Sequence, residues 1–259
     1  MSYTAKEAAR DVADVLRAAD KEAGKRNYTA AVIVAGGSGT RMGTALTKQM
    51  LDLCGKPVVV HTLLAYQNTP CIKEIVVAAR EDEIDIYQGF KQKYGITKLT
   101  AVVPGGVTRQ ASALAGVEAV SDKVRYVAIA DAARCLTTPK EISEVCRVAY
   151  KTDAASAGIP ATDTVKVVDK AGYIAGTPER ALCWQAQTPQ VFRHALYLAA
   201  SYAAIEHKFT ATDDNSLIEF VKHPVKMVKC SKQNIKITEP DDLAYAQMIL
   251  GMREQEDET

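Results

Sequence analysis

The sequence lacks a charge excess of either sign. Its 259 residues include 32 Lys and Arg and 31 Asp and Glu, which gives a formal net charge of +1. A nearly neutral chain has no broad positive field that would attract nucleic acid or an anionic membrane. We therefore expect neither as a partner, and any phosphate binding must depend on a few individually placed cations.

Cysteine motifs and long apolar runs are missing as well. The six cysteines form no Cys-x-x-Cys pair and the four histidines no His-x-x-x-His pair, which favours buried thiols in a reducing compartment over a zinc site or a disulfide framework. No apolar run is long enough for a membrane-spanning helix. The N-terminal segment is rich in acidic residues and lacks the layout of a secretory signal. We therefore expect a cytoplasmic protein.

Strand and helix patterns alternate along most of the chain. Apolar runs predict strands at 30–34, 74–79, 99–103, 125–130 and 225–230, and amphipathic spacing predicts helices at 57–68, 82–94, 109–120, 139–150, 192–206 and 240–250. This alternation predicts a doubly wound α/β fold with a mostly parallel, Rossmann-like sheet. Ligands of such sheets bind at the carboxyl ends of the strands, near a switch in strand order.

An additional helix is predicted before the first strand, over residues 4–24. Thr4 and Glu7 form a capping-box pattern at its beginning. We assign residues 1–27 to an N-terminal helical extension and residues 28–259 to the α/β domain.

A second segment interrupts the alternation. Thr164–Val168 and Gly172–Ala175 predict a hairpin within a protruding β-arm at about residues 158–190. An isolated hairpin is only marginally stable in water. We therefore expect the arm to pack against a second subunit of a homodimer.

A glycine-rich segment follows the first predicted strand. It reads Ala35-Gly36-Gly37-Ser38-Gly39-Thr40-Arg41-Met42-Gly43, with Lys48 soon after. Backbone N–H groups at Ala35, Gly36, Gly37 and Gly39 can approach phosphate oxygens. The segment lacks the Gly-Lys-Ser/Thr of a P-loop, and Met42 replaces the third glycine of the dinucleotide fingerprint. Arg41 and Lys48 suit a triphosphate whose α-phosphate gains charge in the transition state; a tight turn with solvated charges is the alternative.

Asp131 is the second candidate, because it directly follows the predicted strand 125–130. A carboxylate at the end of a buried strand is costly unless it is paired. A Mg²⁺ ion that bridges a triphosphate would pair it, and capping of the next turn is the alternative. Arg134 could orient Asp131 or contact a substrate. Asp213 and Asp214 precede an apolar helix, which favours a capping role for both, and no histidine is assigned to catalysis.

Short motifs follow one another along the chain. They are Ala35–Met42 with Lys48-Gln49, Pro104-Gly105-Gly106 with Arg109-Gln110 and Ser112, Asp131-Ala132-Ala133-Arg134, Asp163–Lys166, Trp184 with Gln187–Gln190, Thr212-Asp213-Asp214 and Asn234–Thr238. In this order and spacing, over about residues 28–250, the chain resembles the 2-C-methyl-D-erythritol 4-phosphate cytidylyltransferases. These enzymes are sugar-phosphate nucleotidyltransferases of the non-mevalonate isoprenoid route.

The resemblance implies a reaction and a site. CMP would pass from CTP to a sugar-alcohol phosphate by in-line attack on the α-phosphate, with Mg²⁺ present and pyrophosphate released. The implied transition-state stabilisers are Arg41 and Lys48; the implied cytosine and ribose contacts are Gly106, Arg109 and Ser112; and the implied metal ligand is Asp131. The implied contacts to the acceptor phosphate are Thr164, Arg180 and Lys236, with Thr164 and Arg180 reaching the partner's site through exchanged arms. For Arg180, a surface ion pair with Glu179 is the alternative.

Alternatives and departures stand beside this resemblance. A cytidylyltransferase for ribitol 5-phosphate would share the CTP site, and a nicotinamide-dependent oxidoreductase or an inactive nucleotide-binding module are more distant alternatives. Thr47 and Cys135 stand where the family usually has Pro, Ala130 where it has His, and Thr108 where it has an acidic residue. The Thr47 change removes one restraint on Lys48, and the changes at Ala130 and Thr108 affect metal and nucleotide contacts.

Overall fold

Strands and helices alternate along residues 27–36 and 47–257, the parts of the chain that the structure, a computed structural model, describes. The elements are β1 (Thr29–Val34), β2 (Asp52–Leu53), β3 (Lys56–Pro57), α1 (Val58–Gln67), β4 (Ile72–Ala79), α2 (Ile84–Lys93), β5 (Leu99–Pro104), α3 (Arg109–Glu118), β6 (Tyr126–Asp131), α4 (Pro139–Thr152), β7 (Ala154–Pro160), β8 (Val167–Val168), β9 (Ile174–Gly176), β10 (Trp184–Arg193), α5 (His194–Glu206), α6 (Asp214–Phe220), β11 (Lys226–Lys229) and α7 (Pro240–Asp257). Single 3₁₀ turns lie at Lys48–Met50, Glu81–Glu83 and Arg180–Leu182. Among these helices none is long and apolar enough to cross a membrane.

The main sheet has seven strands in the order β11-β7-β10-β6-β1-β4-β5. All neighbouring pairs are parallel except the two that β10 forms with β6 and β7. The chain proceeds from β1 outward through β4 and β5 and then returns to β6 on the other side of β1. The strand order therefore switches between β1 and β6, and the predicted mostly parallel, doubly wound fold is confirmed.

Helices cover both faces of this sheet. On one face α1, α2 and α4 pack against Ala31 and Ile33 of β1. On the other face α3, α5 and α6 pack against Ala30 and Val32 of the same strand. Because both faces are buried, the central strands are almost wholly apolar. Helix α7 joins a smaller cluster with Leu53 of the β2–β3 hairpin.

The predicted helices and strands of the alternating region are confirmed with small shifts in their ends. The N-terminal helix predicted over 4–24 lies outside the described residues. The pattern missed β7 and β10, whereas the helix expected after Asp213 and Asp214 is present as α6. Strand β7 consists mainly of Ala, Ser and Gly, and three glutamines and Pro189 interrupt the strand-favouring residues of β10. Pairing with existing neighbours outweighs this weak local preference.

The predicted hairpin is present as β8 and β9. Asp169 Oδ1 accepts the backbone N–H groups of Ala171 (2.9 Å) and Tyr173 (3.0 Å) across the turn, and Gly172 supplies a φ of +87°. Trp184 pairs with Pro160 in the main sheet, so the protruding part spans residues 161–183 rather than all of about 158–190.

Candidate active site

The carboxyl ends of β1 and β6 flank the switch in strand order, and the loop after β5 lies beside them, where Gly105 N donates to Ala79 O at the end of β4. The backbone N–H of Ala132 donates to Val34 O (3.1 Å) across β1 and β6. A Cβ atom added to Gly36 would lie 3.2 Å from Ser112 Oγ, and one added to Gly105 would lie 2.9 Å from the same atom. The structure therefore brings the beginning of the glycine-rich segment and the loop before α3 against the same side chain, Ser112 in the first turn of α3.

That loop is tightly packed. Ser112 is buried, and its Oγ donates to the carbonyl oxygens of Gly106 (3.1 Å) and Thr108 (2.9 Å). A Cβ atom on Gly106 would lie 2.4 Å from the Cβ of Ala111. Thr108 caps α3 by accepting the backbone N–H of Ala111 at 3.0 Å. At this position the departure from the family pattern therefore has a structural role.

Three cations surround Asp131. Arg109 Nε lies 3.0 Å from Oδ1, Lys236 Nζ lies 2.9 Å from Oδ2, and Arg134 Nε lies 3.7 Å from Oδ2. Burial alone would raise the pKa of Asp131, but the charges of Arg109, Lys236 and Arg134 outweigh it and hold this pKa well below its usual range. Asp131 is therefore an ionised carboxylate at the end of β6, and these three cations account for its burial without a metal ion or a capping role.

Arg109 connects Asp131 to a second carboxylate, Asp214. Arg109 Nη1 lies 2.7 Å from Asp214 Oδ2, and Tyr197 Oη donates to Asp214 Oδ1 at 2.9 Å. The capping prediction is correct for Asp213, which accepts the backbone N–H of Ser216 at 3.0 Å. Asp214 instead lies fully buried beside Arg109. Nothing in the spacing of the sequence distinguishes the two aspartates, because their local setting is the same.

Lys236 is held in place by the loop around Asn234. Arg134 Nη1 donates to the carbonyl oxygen of Asn234 (2.7 Å), and Asn234 Nδ2 donates to Thr188 O (2.9 Å). Thr188 Oγ1 accepts the backbone N–H of Asp131 at 3.1 Å. The Gln187–Gln190 and Asn234–Thr238 motifs therefore form the frame that places Lys236 beside Asp131.

The other predicted residues lie elsewhere. Thr164 and Arg180 are exposed in the arm, where Arg180 Nη1 donates to Thr162 O at 3.2 Å. Ala130 belongs to β6 and is buried on the face of the sheet that α1, α2 and α4 cover. Cys135 packs in the small cluster around α7, and its burial raises its pKa to about 12. Gly37, Gly39 and Arg41 fall outside the described residues.

A metal site would have to be built largely from substrate. Within residues 27–36 and 47–257 no group of three His, Cys, Asp or Glu side chains could hold a metal ion. Asp131 offers one carboxylate at the strand ends, and Mg²⁺ commonly takes one or two carboxylates with substrate phosphates and water. A Mg²⁺ ion would therefore use Asp131 only together with ligands from a triphosphate, and in competition with Arg109 and Lys236, which pair with its two oxygens.

Comparison with known proteins identifies the family. A model for 2-C-methyl-D-erythritol 4-phosphate cytidylyltransferase (IspD) matches residues 29–252. The chain belongs to this family. Cytidylyltransferases of this name from Desulforamulus reducens (42% identity over 224 residues) and Pelotomaculum thermopropionicum (38% over 226 residues) are among its relatives. These matches cover 86% and 87% of this chain and 96% and 95% of the relatives.

Solved cytidylyltransferase structures share the fold. The 4-diphosphocytidyl-2C-methyl-D-erythritol synthase of Anaerococcus prevotii is 29% identical, with a TM-score of 0.77 over 87% of this chain and 99% of its own. The 2-C-methyl-D-erythritol 4-phosphate cytidylyltransferase of Francisella tularensis is 28% identical, with a TM-score of 0.72 over 85% and 99%. The resemblance carried by the sequence motifs is thereby confirmed, and the oxidoreductase alternative is not supported.

Proposed function

We propose that the protein transfers CMP from CTP to 2-C-methyl-D-erythritol 4-phosphate, giving 4-diphosphocytidyl-2-C-methyl-D-erythritol and pyrophosphate. The observation that carries this proposal is the convergence of Arg109, Arg134 and Lys236 on Asp131 at the switch in strand order, in a chain that belongs to the cytidylyltransferase family. Such a site can hold two phosphorylated substrates next to one another.

Catalysis would consist mainly of placement and charge stabilisation. The attacking oxygen belongs to a phosphate that is already ionised, so no general base is needed. The barrier is the repulsion of two anions and the charge that builds up on the α-phosphate, both of which fixed cations reduce. Arg41 and Lys48 are the proposed cations at the α-phosphate.

The nucleotide would lie over the carboxyl ends of β1, β5 and β6. Its proposed contacts are the backbone of Ala35, Gly36, Gly37 and Gly39, together with Gly106, Arg109, Ser112 and Asp131. The tight packing of Gly106 against Ala111 supports a narrow base pocket. Asp131 would also hold Mg²⁺, which supplies neutralising charge at the triphosphate when it is bound.

The acceptor phosphate would lie beside Lys236 and Arg134. A planar guanidinium and a flexible ammonium together suit a phosphomonoester. Thr164 and Arg180 are proposed to reach this phosphate from the arm of a partner subunit in a homodimer. Support comes from the exposure of apolar side chains on the arm, where Tyr173 is 74% and Ile174 64% exposed, because exposed apolar clusters of this kind commonly mark interfaces.

The direct test measures pyrophosphate release. CTP, UTP, ATP and GTP are each offered with 2-C-methyl-D-erythritol 4-phosphate and, separately, with ribitol 5-phosphate, and Lys48→Ala protein serves as the control. We expect release only with CTP and the erythritol phosphate. Faster turnover with ribitol 5-phosphate would show that ribitol 5-phosphate, and not the erythritol phosphate, is the acceptor. Turnover with a purine triphosphate but not with CTP would overturn the proposal. A cytoplasmic location stays a prediction.

A further inference from the structure

Lys48 lies between two buried polar side chains that are each held by a short hydrogen bond. Thr47 Oγ1 donates to Glu83 Oε1 at 2.6 Å, and Gln49 Nε2 donates to Ala35 O at 2.6 Å. Thr47 is 7% exposed and Gln49 is 2% exposed. The backbone of Lys48 is therefore anchored on one side to the segment before α2 and on the other to the end of β1.

Glu83 is an unusual anchor because it is itself only 8% exposed. Its other carboxylate oxygen, Oε2, is buried and has no hydrogen-bond partner among residues 27–36 and 47–257. A buried carboxylate is costly unless it accepts hydrogen bonds, and a bond to a charged acceptor is stronger than one between neutral groups. Glu83 therefore has a strong physical reason to retain the hydroxyl of Thr47.

We propose that Glu83, acting through Thr47, is a positioning residue for Lys48. The inference rests on the proposed role of Lys48 in stabilising the α-phosphate. A cation contributes fully to such a transition state only if it is in place before reaction. At Thr47, φ is −66° and ψ is 143°, a conformation that proline also adopts. A proline at this position would therefore restrain the same backbone without a hydrogen bond.

The test compares variants that remove this hydrogen bond with variants that keep it. Thr47→Val and Glu83→Leu remove it, and each is expected to lower kcat by about 10- to 100-fold, the scale of a displaced catalytic group, with little change in KM for CTP. Thr47→Ser and Glu83→Gln keep a donor and an acceptor, and should stay near the wild-type kcat. The double variant Thr47→Val/Glu83→Leu should be no slower than the slower single variant.

Two further measurements separate the possible failures. Lys48→Ala is assayed in parallel. A normal kcat in that protein would overturn the role of Lys48. A low kcat for Lys48→Ala together with a normal kcat for Thr47→Val and Glu83→Leu would overturn the positioning role of Glu83. If Glu83→Leu folds poorly, Thr47→Pro/Glu83→Leu is compared with it at a temperature where both are folded. Recovery of kcat by the proline supports positioning, and an unrecovered kcat contradicts it.

Discussion

Lys236 Nζ lies 2.9 Å from Oδ2 of Asp131. The first residue belongs to the loop before α7 and the second ends β6, so the contact joins the proposed acceptor side of the site to the proposed nucleotide side. Without the carboxylate, the positive charges of Arg109, Arg134 and Lys236 would repel one another. Asp131 therefore holds together the three cations that we propose bind the two anionic substrates.

Replacement of Asp131 by Asn should remove most of the activity. The amide keeps the shape of the side chain but cannot balance the surrounding cations or bind Mg²⁺ as a carboxylate does. We expect a weaker response to added Mg²⁺, measured by titrating the metal in a pyrophosphate-release assay, and a circular dichroism spectrum like that of the wild type. The exposed Asp241→Asn is the matched control. Full wild-type activity in excess EDTA would rule out the metal mechanism.

Replacement of Asp214 by Asn should weaken CTP binding. Asp214 is 1% exposed and lies 2.7 Å from Arg109, so the variant leaves a proposed nucleotide contact with one carboxylate partner instead of two. A hydrogen bond to a charged group contributes about 1.5–3 kcal/mol, which corresponds to roughly a tenfold or greater rise in KM for CTP. Tyr197→Phe, which removes only the outer hydrogen bond, should have a smaller effect. A lower kcat at unchanged KM would show that Arg109 acts on the transition state instead.

Mixing two inactive proteins should restore activity if the arms exchange. Arg180 would serve the partner's site while Lys48 serves its own, so a dimer of Arg180→Ala and Lys48→Ala chains has one intact site. Statistical exchange then gives roughly a quarter of the wild-type rate, because half of the dimers are mixed. The measurement is activity after subunit exchange, with exchange itself verified by tagged chains. An inactive mixture of verified mixed dimers would mean that Arg180 does not act across subunits.

Acidification should destabilise the fold through His61. Burial lowers the pKa of His61 below its ordinary value of 6.5, although its Nε2 bonds to Leu53 O at 2.7 Å. The unfolded chain therefore takes up this proton first as pH falls, so the stabilisation is present above pH 6.5 and is lost as pH falls through the lower folded pKa. This loss is measured as the free energy of unfolding in urea of the wild type and of His61→Gln, at pH values from above to below 6.5. The variant should show the smaller loss, and equal losses would contradict this assignment.

The periodicity of apolar residues and the order of the motifs were enough to predict the fold and the family of this protein. Alternating strand and helix patterns predicted the confirmed fold. A strand or helix that buries a face has apolar residues at the spacing of that face, so its own sequence shows the pattern. The series from Ala35 to Thr238 likewise predicted the family, and the position of Asp131 after an apolar run marked it as a buried charge. Each of these signals is local, and none depends on knowing which distant segments meet.

Only the packing of the folded chain determines which residues that are distant in the sequence lie in contact. Arg109 and Asp214 are 105 positions apart, and Thr47 and Glu83 are 36 apart, so no spacing rule connects them. Three glutamines and Pro189 weaken the strand pattern of β10, and pairing with β6 on one side and β7 on the other fixes it as a strand. Asp213 and Asp214 show the distinction most directly: the same residue type at adjacent positions caps a helix in one case and holds an arginine in the other, because only the folded chain brings Arg109 to one of them.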